Sequence, residues 1–514
     1  MLVKTYSTAL QGLEAEVVSI EVNSGKGAKT YIVGLPDSAV KESLYRINTA
    51  LENVGYGISR RGYIVNMAPA DLKKEGSTYD LAIALAFLAV NGHIEATKLA
   101  DMMIVGELGL DGSIQPVKGA LATTIGARNA GFTTMIIPEA NIREAAVVQG
   151  VNVYGFEHIV DIIDYMTGTN VRDPVRISMS EALNEQDGRS FADISEVKGQ
   201  QNVKRALEIA AAGGHNAILI GPPGSGKTML AKRMPGILPL LTEDECLETT
   251  KIHSVAGQVG KYNGVVVRRP FRNPHHTVSD VALVGGGTNP QPGEISLAHN
   301  GVLFLDELPE FKRTVLEVLR QPLEERRISV ARARFSVDYP CNFMLIASMN
   351  PCPCGYYNHP RKACTCTAQQ VERYLSRISG PLMDRIDIHI EVAPVDYDEL
   401  RNNAIQDAES SKYIRERVKG ARQVQRERYL NIHGMYVNAQ MEARDLRKFC
   451  RLNSGSEQLL RKALESLQLS ARAYDRILKV ARTIADLEGS DNLQTSHIAE
   501  AIQYRSLDRS NWGK

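Results

Sequence analysis

Eight consecutive residues of this 514-residue chain have the types and spacing of a phosphate-binding loop. The stretch "GPPGSGKT" consists of Gly221, Pro222, Pro223, Gly224, Ser225, Gly226, Lys227 and Thr228. Glycines let backbone N–H groups turn towards phosphate oxygens, a lysine reaches the β- and γ-phosphates, and a threonine hydroxyl can ligate Mg²⁺. The apolar "NAILIG" predicts a buried strand before the loop, and "MLAKRM" predicts a helix after it. This stretch therefore predicts a site for ATP and Mg²⁺, against the alternative of a plain glycine-rich turn.

A second apolar strand, "GVLFLDE", ends in the adjacent carboxylates of Asp306 and Glu307. Burying two carboxylates without a cation nearby is costly, so we expect Asp306 to hold Mg²⁺ and Glu307 to polarise an attacking water. The alternative is two exposed acids at a strand end. A third apolar strand, "NFMLIASMN", ends at Asn350, whose amide could bond the water or the γ-phosphate. Together with the loop, these residues predict an ATPase.

Two arginines further along the chain could stabilise the charge that develops in phosphoryl transfer. Arg385 lies in "GPLMDRIDIHI", and Arg472 lies in "LSARAYDRIL" at the predicted start of a helix. An arginine in that role contributes about 10³ to 10⁵ in rate. From the residues alone, each could equally be a solvated arginine in a surface salt bridge.

Two sets of residues are candidates for contacting DNA. Arg332 and Arg334 alternate in "EERRISVARARFSVDYP", so both would lie on one face of a strand whose hairpin could follow phosphates in a ring pore. A solvated hairpin face is the alternative. His275 and His276 are adjacent and cannot easily chelate one metal, which favours hydrogen bonding to DNA or to a neighbouring subunit. A structural role for these histidines stays open.

Four of the seven cysteines lie in the stretch 350–367. Cys352, Cys354, Cys364 and Cys366 form two C-x-C pairs separated by nine residues, which is tighter than the usual zinc spacing. Four thiolates could still close a tetrahedral structural Zn²⁺ site. The alternative is a set of small cysteines that pack a turn.

Composition excludes few classes of function. Sixty basic and fifty-nine acidic side chains leave a formal charge of +1, so nucleic-acid binding would have to come from local patches. The N-terminus lacks the apolar core of a signal peptide, and the longest apolar run, Leu81 to Val90, is about half the ~20 residues of a membrane span. We therefore expect a cytoplasmic protein without a membrane partner, in which clustered cysteines indicate metal or catalysis rather than disulfides.

The pattern of apolar residues predicts an α/β multidomain chain. Residues 1–168 mix short strands with helices, and 169–195 are polar and aperiodic, as in a linker. Residues 196–395 alternate helices with continuous apolar strands, which is typical of a parallel sheet covered on both faces. Residues 396–514 are predicted to be helical.

The ordered motifs resemble those of AAA+ ATPases in the magnesium-chelatase-like branch. The motifs are "GPPGSGKT", "FLDE", "SMN", "LMDRID" and "SARAYDR", while "FRNPHHTVSDVALVGGG" and "NPCPCGYY" resemble signatures of the branch's YifB/ComM proteins. The resemblance implies that 221–228 is Walker A, that Asp306 and Glu307 form Walker B, and that Asn350 is sensor 1.

The same resemblance assigns roles to the two arginines and to the last helical block. Arg385 would be an arginine finger that acts on the ATP of a neighbouring subunit, and Arg472 would be the sensor 2 arginine. A finger acting in trans implies a ring, expected to be a homohexamer. Residues 196–395 would be the AAA+ core, and 396–514 would be a helical lid of the magnesium-chelatase C-terminal type.

Residues 1–168 resemble the ribosomal-S5/Lon-protease-type domain through "IVGLPDSAVKES", "APADLKKEGSTYDLAIAL" and "GELGLDGSIQPVKG". Aligning these segments places Thr78 at the nucleophile position and Leu121 where the lysine base belongs. Because a serine or threonine is a poor nucleophile without a base, we expect this domain to be inactive as a protease. Ser77 and Lys118 are the alternative pair. The domain would then be structural or would contact DNA.

Taken together, the resemblance implies an ATP-dependent hexameric DNA translocase or helicase. It would act on single-stranded and branched DNA and promote branch migration in recombination during natural transformation. The alternative is an ATP-driven remodelling motor of the magnesium-chelatase type that does not act on DNA. An ATP-dependent peptidase is disfavoured by the missing lysine.

Overall fold

The computed structural model describes residues 2–25, 27, 29–57, 61–187, 192–287, 290–331, 336–394, 409–432 and 434–505. The internal contacts of the chain divide it into two compact units. Unit 1 comprises residues 1–188, 242–267 and 331–339, and unit 2 comprises residues 189–241, 268–330 and 340–514. The domain boundaries drawn from the sequence stay predictions.

Unit 1 contains a mixed seven-stranded sheet with the strand order β3-β4-β2-β1-β5-β8-β9. The strands of that sheet are β1 (Leu2–Gln11), β2 (Glu14–Ser24), β3 (Tyr31–Val33), β4 (Tyr63–Ala68), β5 (Met102–Ile104), β8 (Thr134–Pro138) and β9 (Asn152–Phe156). β6 (Glu107–Leu108) and β7 (Ile114–Gln115) form a separate two-stranded sheet. Its helices are α1 (Ser38–Asn53), α2 (Asp80–Val90), α3 (Ala120–Asn129), α4 (Ile142–Ala145), α5 (Ile159–Thr167), α6 (Met179–Asp187) and α10 (Glu243–Val255). β1 and β2 form an antiparallel hairpin, whereas β5, β8 and β9 run parallel.

The core of unit 1 is built around α2, whose residues from Asp80 to Ala89 are all buried. This helix is the apolar run that is too short for a membrane span. Across the described ranges of the chain, no helix is long and apolar enough to cross a bilayer. The buried carboxylate of Asp80 accepts hydrogen bonds from Arg46 at 2.9 and 3.2 Å, which compensates for part of the cost of its burial.

Helix α10 follows the phosphate-binding loop in sequence by only fifteen residues, yet it packs on α3 in unit 1. The Gly119 N–H donates to the Ser254 carbonyl at 3.0 Å, and the Ser254 hydroxyl donates to Glu144. Glu144 also accepts from the backbone N–H of Leu121 at 2.9 Å. Burial raises the pKa of Glu144, although these hydrogen bonds oppose the shift. A buried acid therefore joins α3, α4 and α10.

Unit 2 contains a five-stranded parallel sheet with the order β11-β14-β17-β10-β18. The remaining strands are β10 (Ala217–Ile220), β11 (Phe271–Arg272), β12 (Gly285–Gly286), β13 (Gln291–Pro292), β14 (Val302–Leu305), β15 (Arg327–Ala331), β16 (Ser336–Pro340), β17 (Met344–Met349) and β18 (Ile388–Glu391). β15 and β16 flank residues that the structure does not describe, and β16 lies almost wholly in unit 1.

Helices of unit 2 surround this sheet and make up its C-terminal part. They are α7 (Gln201–Gly213), α8 (Lys227–Ala231), α9 (Met234–Ile237), α11 (Asp280–Val284), α12 (Glu294–Leu297), α13 (Arg313–Glu317), α14 (Arg320–Glu325), α15 (Ala368–Leu375), α16 (Gly380–Met383), α17 (Ser411–Tyr429), α18 (Ala443–Phe449), α19 (Ser454–Leu467), α20 (Ala471–Leu487) and α21 (Thr495–Gln503). β10, β14 and β17 are buried along their whole length, as expected for strands covered on both faces. The parallel sheet and the helical C-terminal region confirm the predicted α/β fold class.

Candidate active site

The phosphate-binding loop joins the carboxyl end of β10 to the start of α8. Gly224 and Gly226 have φ values of +77° and +87°, in the left-handed region that glycine adopts without strain. The Lys227 ammonium donates to the carbonyls of Gly221 at 2.7 Å and Pro222 at 2.9 Å. The loop thus folds around its own lysine side chain. Burial lowers the pKa of Lys227 to about 8, even though the nearby carboxylates of Asp306 and Glu307 oppose that shift.

Three neighbouring strands bring the other predicted residues to this loop. The Thr228 hydroxyl donates to Asp306 at 2.7 Å, and the Lys227 ammonium donates to the Asn350 side-chain oxygen at 3.1 Å. β17, which precedes Asn350, pairs with both β10 and β14. Because the carboxyl ends of parallel strands meet at one edge of a sheet, residues far apart in sequence converge there. We call this the carboxyl edge.

Glu307 differs from its neighbour Asp306 in exposure and in partners. Asp306 accepts a hydrogen bond from the Ser348 hydroxyl, whereas the Glu307 side chain is 59% exposed. The Nδ1 of His276 lies 3.8 Å from the Glu307 carboxylate. Glu307 also has a φ of +54°, which turns the chain sharply after β14. Its exposed carboxylate can therefore meet a water at the carboxyl edge, while Asp306 is held in place.

Arg385 and Arg472 lie at the opposite, amino edge of the same sheet. The Arg385 carbonyl accepts from the Asn216 side chain at 3.0 Å, and Asn216 directly precedes β10. Since β10 has four residues at about 3.3 Å each, its two ends are ~10 Å apart or more. Arg472 donates to Asp384 at 3.1 Å and so lies beside Arg385. In one chain, neither arginine joins Lys227 at the carboxyl edge.

The two arginines line one charged cleft, and each is held by a carboxylate of its own chain. Arg385 is nearly buried, and its guanidinium lies 2.6 Å from Glu324. Its Nε is buried and has no hydrogen-bond partner among the described residues. The remaining side chains of the cleft are Asp475, Arg476 and Lys479. Burial, reinforced by the charge of Arg476, lowers the pKa of Lys479 to about 8.

The DNA-contact candidates fall into two groups. Arg332 and Arg334 lie outside the described residues, so the predicted basic hairpin stays a prediction. The loop after β11 places His276 beside Glu307, and its ring is 4.1 Å from that of His275. His275 Nδ1 lies 2.9 Å from the Thr277 hydroxyl. The structure thus places His276 at the carboxyl edge, next to the carboxylate of the candidate base Glu307.

The four cysteines predicted as a metal site lie together in the loop after β17. The sulfur atoms of Cys352, Cys354, Cys364 and Cys366 are all within 4.8 Å of one another. Cys352 is fully buried and the other three are half-buried. His359 lies in the same loop, and its Nδ1 accepts hydrogen bonds from two backbone N–H groups of that loop.

Comparison with known proteins gives a consistent family. Family models described as magnesium chelatase, subunit ChlI, match residues 18–141 and 193–400, and the C-terminal model of that subunit matches residues 408–505. Competence protein ComM of Haemophilus influenzae is 42% identical over 508 residues, which cover 98% of this chain and 97% of that protein. The chain belongs to the magnesium-chelatase-like YifB/ComM family. The uncharacterized protein YifB of Escherichia coli is likewise 42% identical, over 511 residues.

The YifB/ComM chain also carries a similarity to Lon proteases in its N-terminal region. Lon protease 2 of Bacillus subtilis is 28% identical over 167 residues, which are 31% of this chain and 30% of that protein. In unit 1 the Ser77 hydroxyl donates to Glu107, and the Thr78 carbonyl accepts from Gly106 at 3.0 Å. Leu121, at the predicted lysine position, is fully buried at the start of α3. The hydroxyl of Ser77 therefore meets a carboxylate rather than a lysine.

The sequence of this YifB/ComM chain did not indicate the roles of two residues at the carboxyl edge. Ser348 lies inside the buried strand β17, and its hydroxyl holds Asp306. Ser348 and Asn350 are two residues apart and therefore on the same face of the strand, and this spacing could have indicated that Ser348 lies near the site. His276 was recognised only as a candidate for DNA or subunit contact. Its position beside Glu307 depends on β11 pairing with β14, which no local pattern shows.

Proposed function

We propose that this chain is a Mg²⁺-dependent ATPase that works as a homohexameric ring, translocates on DNA and drives branch migration in recombination. The observation that carries the ATPase part is the meeting of Lys227, Thr228, Asp306 and Asn350 at the carboxyl edge. The DNA part is supported by 42% identity to a relative named as a competence protein, which suggests natural transformation as the setting. Single-stranded and branched DNA are the expected substrates.

The donor atoms at the carboxyl edge fit Mg²⁺. The Thr228 hydroxyl and the Asp306 carboxylate lie 2.7 Å apart, and Mg²⁺ binds oxygen ligands together with substrate phosphates. When bound, the ion would neutralise charge on the phosphates. Lys227 would exchange the two loop carbonyls for the β- and γ-phosphates. Glu307 would take a proton from the attacking water, and Asn350 would orient that water or the γ-phosphate.

The ring is supported by the positions of Arg385 and Arg472. Because both lie at the amino edge, a nucleotide at the carboxyl edge of the same chain is beyond their reach. A head-to-tail interface would place them at the nucleotide of the next subunit, and repeating such an interface forms a ring when its rotation closes. The buried, unpartnered Nε of Arg385 is a donor that a phosphate oxygen could satisfy.

A second candidate is a remodelling motor that does not act on DNA. It is favoured by the magnesium-chelatase family models, which match most of the chain. The two candidates share the ATPase chemistry and differ in what stimulates it.

The test is steady-state ATPase activity without DNA and with single-stranded, duplex or four-way-junction DNA. Glu307→Gln, which keeps the size of the side chain and removes the base, is the control for contaminating activity. Stimulation by DNA that the variant abolishes would support the translocase. A rate of ATP hydrolysis that is the same with and without each DNA would favour the remodelling motor. Absence of hydrolysis in the wild-type protein would contradict both candidate functions.

A further inference from the structure

The four sulfur atoms of the cysteine loop are spaced as ligands of one tetrahedral metal ion. The Sγ of Cys352 lies 3.3 Å from that of Cys354 and 3.7 Å from that of Cys364, and the latter two are 3.5 Å apart. Four thiolates bound to zinc at about 2.3 Å would be about 3.8 Å apart. Disulfide sulfurs would be about 2.05 Å apart, and all four cysteines are free.

The donor set and its surroundings select a soft, structural metal. Four sulfur ligands favour Zn²⁺ over Mg²⁺, which binds oxygen, and a closed set of four ligands is typical of structural rather than catalytic zinc. The backbone N–H of Cys354 points at the sulfur of Cys366 at 3.4 Å, and such N–H groups stabilise thiolate charge in metal sites.

The cysteine cluster touches the phosphate-binding loop through Gly355. This residue follows Cys354 and has a φ of +84°, and its N–H donates to the Cys352 carbonyl at 3.0 Å. A Cβ atom at Gly355 would lie 2.4 Å from the Cδ of Pro223, which is closer than two carbons can approach. The turn closed by the first cysteine pair therefore packs directly on the proline of the phosphate-binding loop.

The same loop is anchored to the nucleotide site at its other end. Asn350 lies two residues before Cys352, and its side chain accepts from the Lys227 ammonium at 3.1 Å. The cluster is thus connected to the site twice, by chain continuity through Asn350 and by packing on Pro223. A metal that fixes the loop would fix both connections.

We propose that the four cysteines form a structural Zn²⁺ site that holds the phosphate-binding loop in its binding shape, so that the metal content of the protein sets its affinity for ATP. The inference rests on the proposed nucleotide site and adds a metal that does not take part in hydrolysis. Without the ion, the turn at Gly355 would no longer press on Pro223. The loop would then adopt its binding shape for only part of the time, which lowers the apparent affinity by that fraction.

The first experiment uses the full chain purified without an affinity tag. Zinc is measured by elemental analysis, and ATP affinity is measured with a fluorescent ATP analogue before chelation, after chelation and after Zn²⁺ is added back. We expect one zinc per chain, a loss of affinity of about tenfold on removal, and recovery on addition of Zn²⁺. Folded protein without zinc, or equal affinity with and without it, would overturn the inference.

Three variants distinguish the effect of losing zinc from the effect of disturbing the contact between Gly355 and Pro223. Cys364→Ser should lose zinc and ATP affinity together. Gly355→Ala should keep zinc and still lose affinity, because its Cβ collides with Pro223. His359→Ala is the matched control in the same loop and should keep both, since the clustered ligand atoms are the four cysteine sulfurs and His359 Nδ1 accepts from backbone N–H groups. Gly355→Ala with unchanged affinity would overturn the coupling.

The outcomes also distinguish this inference from the proposed function. A wild-type protein that contains zinc and binds no ATP would contradict the ATPase proposal. A protein that binds and hydrolyses ATP equally well with and without zinc would leave the ATPase in place and reject only the role of the cluster. Circular dichroism of each variant identifies a loss of affinity that comes from unfolding.

Discussion

Two inactive variants of this chain should restore each other's ATPase activity when they are mixed. Arg385→Ala removes the candidate finger at the amino edge and leaves the carboxyl edge intact. Glu307→Gln removes the candidate base and leaves Arg385 intact. Because the two residues lie at opposite edges of the sheet, each interface of a ring would combine Glu307 of one subunit with Arg385 of the next. Alone, Arg385→Ala should lose about 10³-fold or more in hydrolysis rate.

The size of the recovery follows from counting interfaces. In a one-to-one mixture assembled at random, about a quarter of the interfaces combine an intact Glu307 with an intact Arg385. If each interface hydrolyses ATP independently, the mixture should show about a quarter of wild-type activity, falling symmetrically as the ratio departs from one to one. A coupled-enzyme ATPase assay at fixed total protein measures this curve.

The control mixes Arg385→Ala with the double variant that carries both substitutions. The double variant has no arginine to offer at position 385, so this mixture should stay inactive. Native mass spectrometry of the same samples shows whether the subunits assemble together. Mixed rings that are no more active than the separate variants would refute the assignment of Arg385 to the neighbouring subunit's ATP.

Three further outcomes follow from the contacts of the site. The pKa of the Lys227 ammonium is about 8, so ATP affinity should fall as the pH rises from 7 to 9 and the ammonium loses its charge. The stability of the free protein should instead rise between about pH 8 and 10.5, where the unfolded chain binds more protons than the folded one. Lys227→Arg, which stays charged throughout, should show neither trend in ATP titrations and thermal melts. Glu324→Gln should release Arg385 from its ion pair with the Glu324 carboxylate and lower the protein concentration needed for ring assembly about two- to fivefold, as measured by analytical ultracentrifugation. An unchanged or higher concentration would contradict the idea that this ion pair holds Arg385 back from the neighbouring subunit. His276→Ala should reduce kcat up to about fivefold with KM unchanged, because the contact of this histidine is with the Glu307 carboxylate, 3.8 Å from its Nδ1. A change confined to KM would argue for a binding role instead.

Lys227, Asp306 and Asn350 could be predicted to meet at the carboxyl edge because each follows a continuous apolar strand, either directly or after the phosphate-binding loop. "AILI" and "VLFL" are buried strands that end beside Lys227 and Asp306, and "MLIASM" ends beside Asn350. In a parallel sheet these ends must meet, so the residue types at three separate places predict one site. The order of the strands was not needed for that prediction.

Other contacts could not be predicted because they join residues without a shared local pattern. Ser348 reaches Asp306 across forty-two residues, and Gly355 meets Pro223 between two loops. The sequence identified Arg472 as a helix-start arginine, but only the packing of α20 shows that it lies at the amino edge. Such contacts depend on tertiary packing rather than on hydrophobic periodicity.

The position of α10 has a consequence for how this protein can be divided and how it could have arisen. Between residues 188 and 340 the chain changes unit five times, so no single cleavage point separates the two units into independent polypeptides. A fragment that starts at residue 196 would expose the face of α10 that carries the buried side chains Cys246, Thr249, Ile252 and His253. The protein is therefore not a string of interchangeable modules. An exchange of the N-terminal part by genetic recombination would have to preserve the surface that receives α10, which ties the evolution of the ATPase sequence to that of its N-terminal companion.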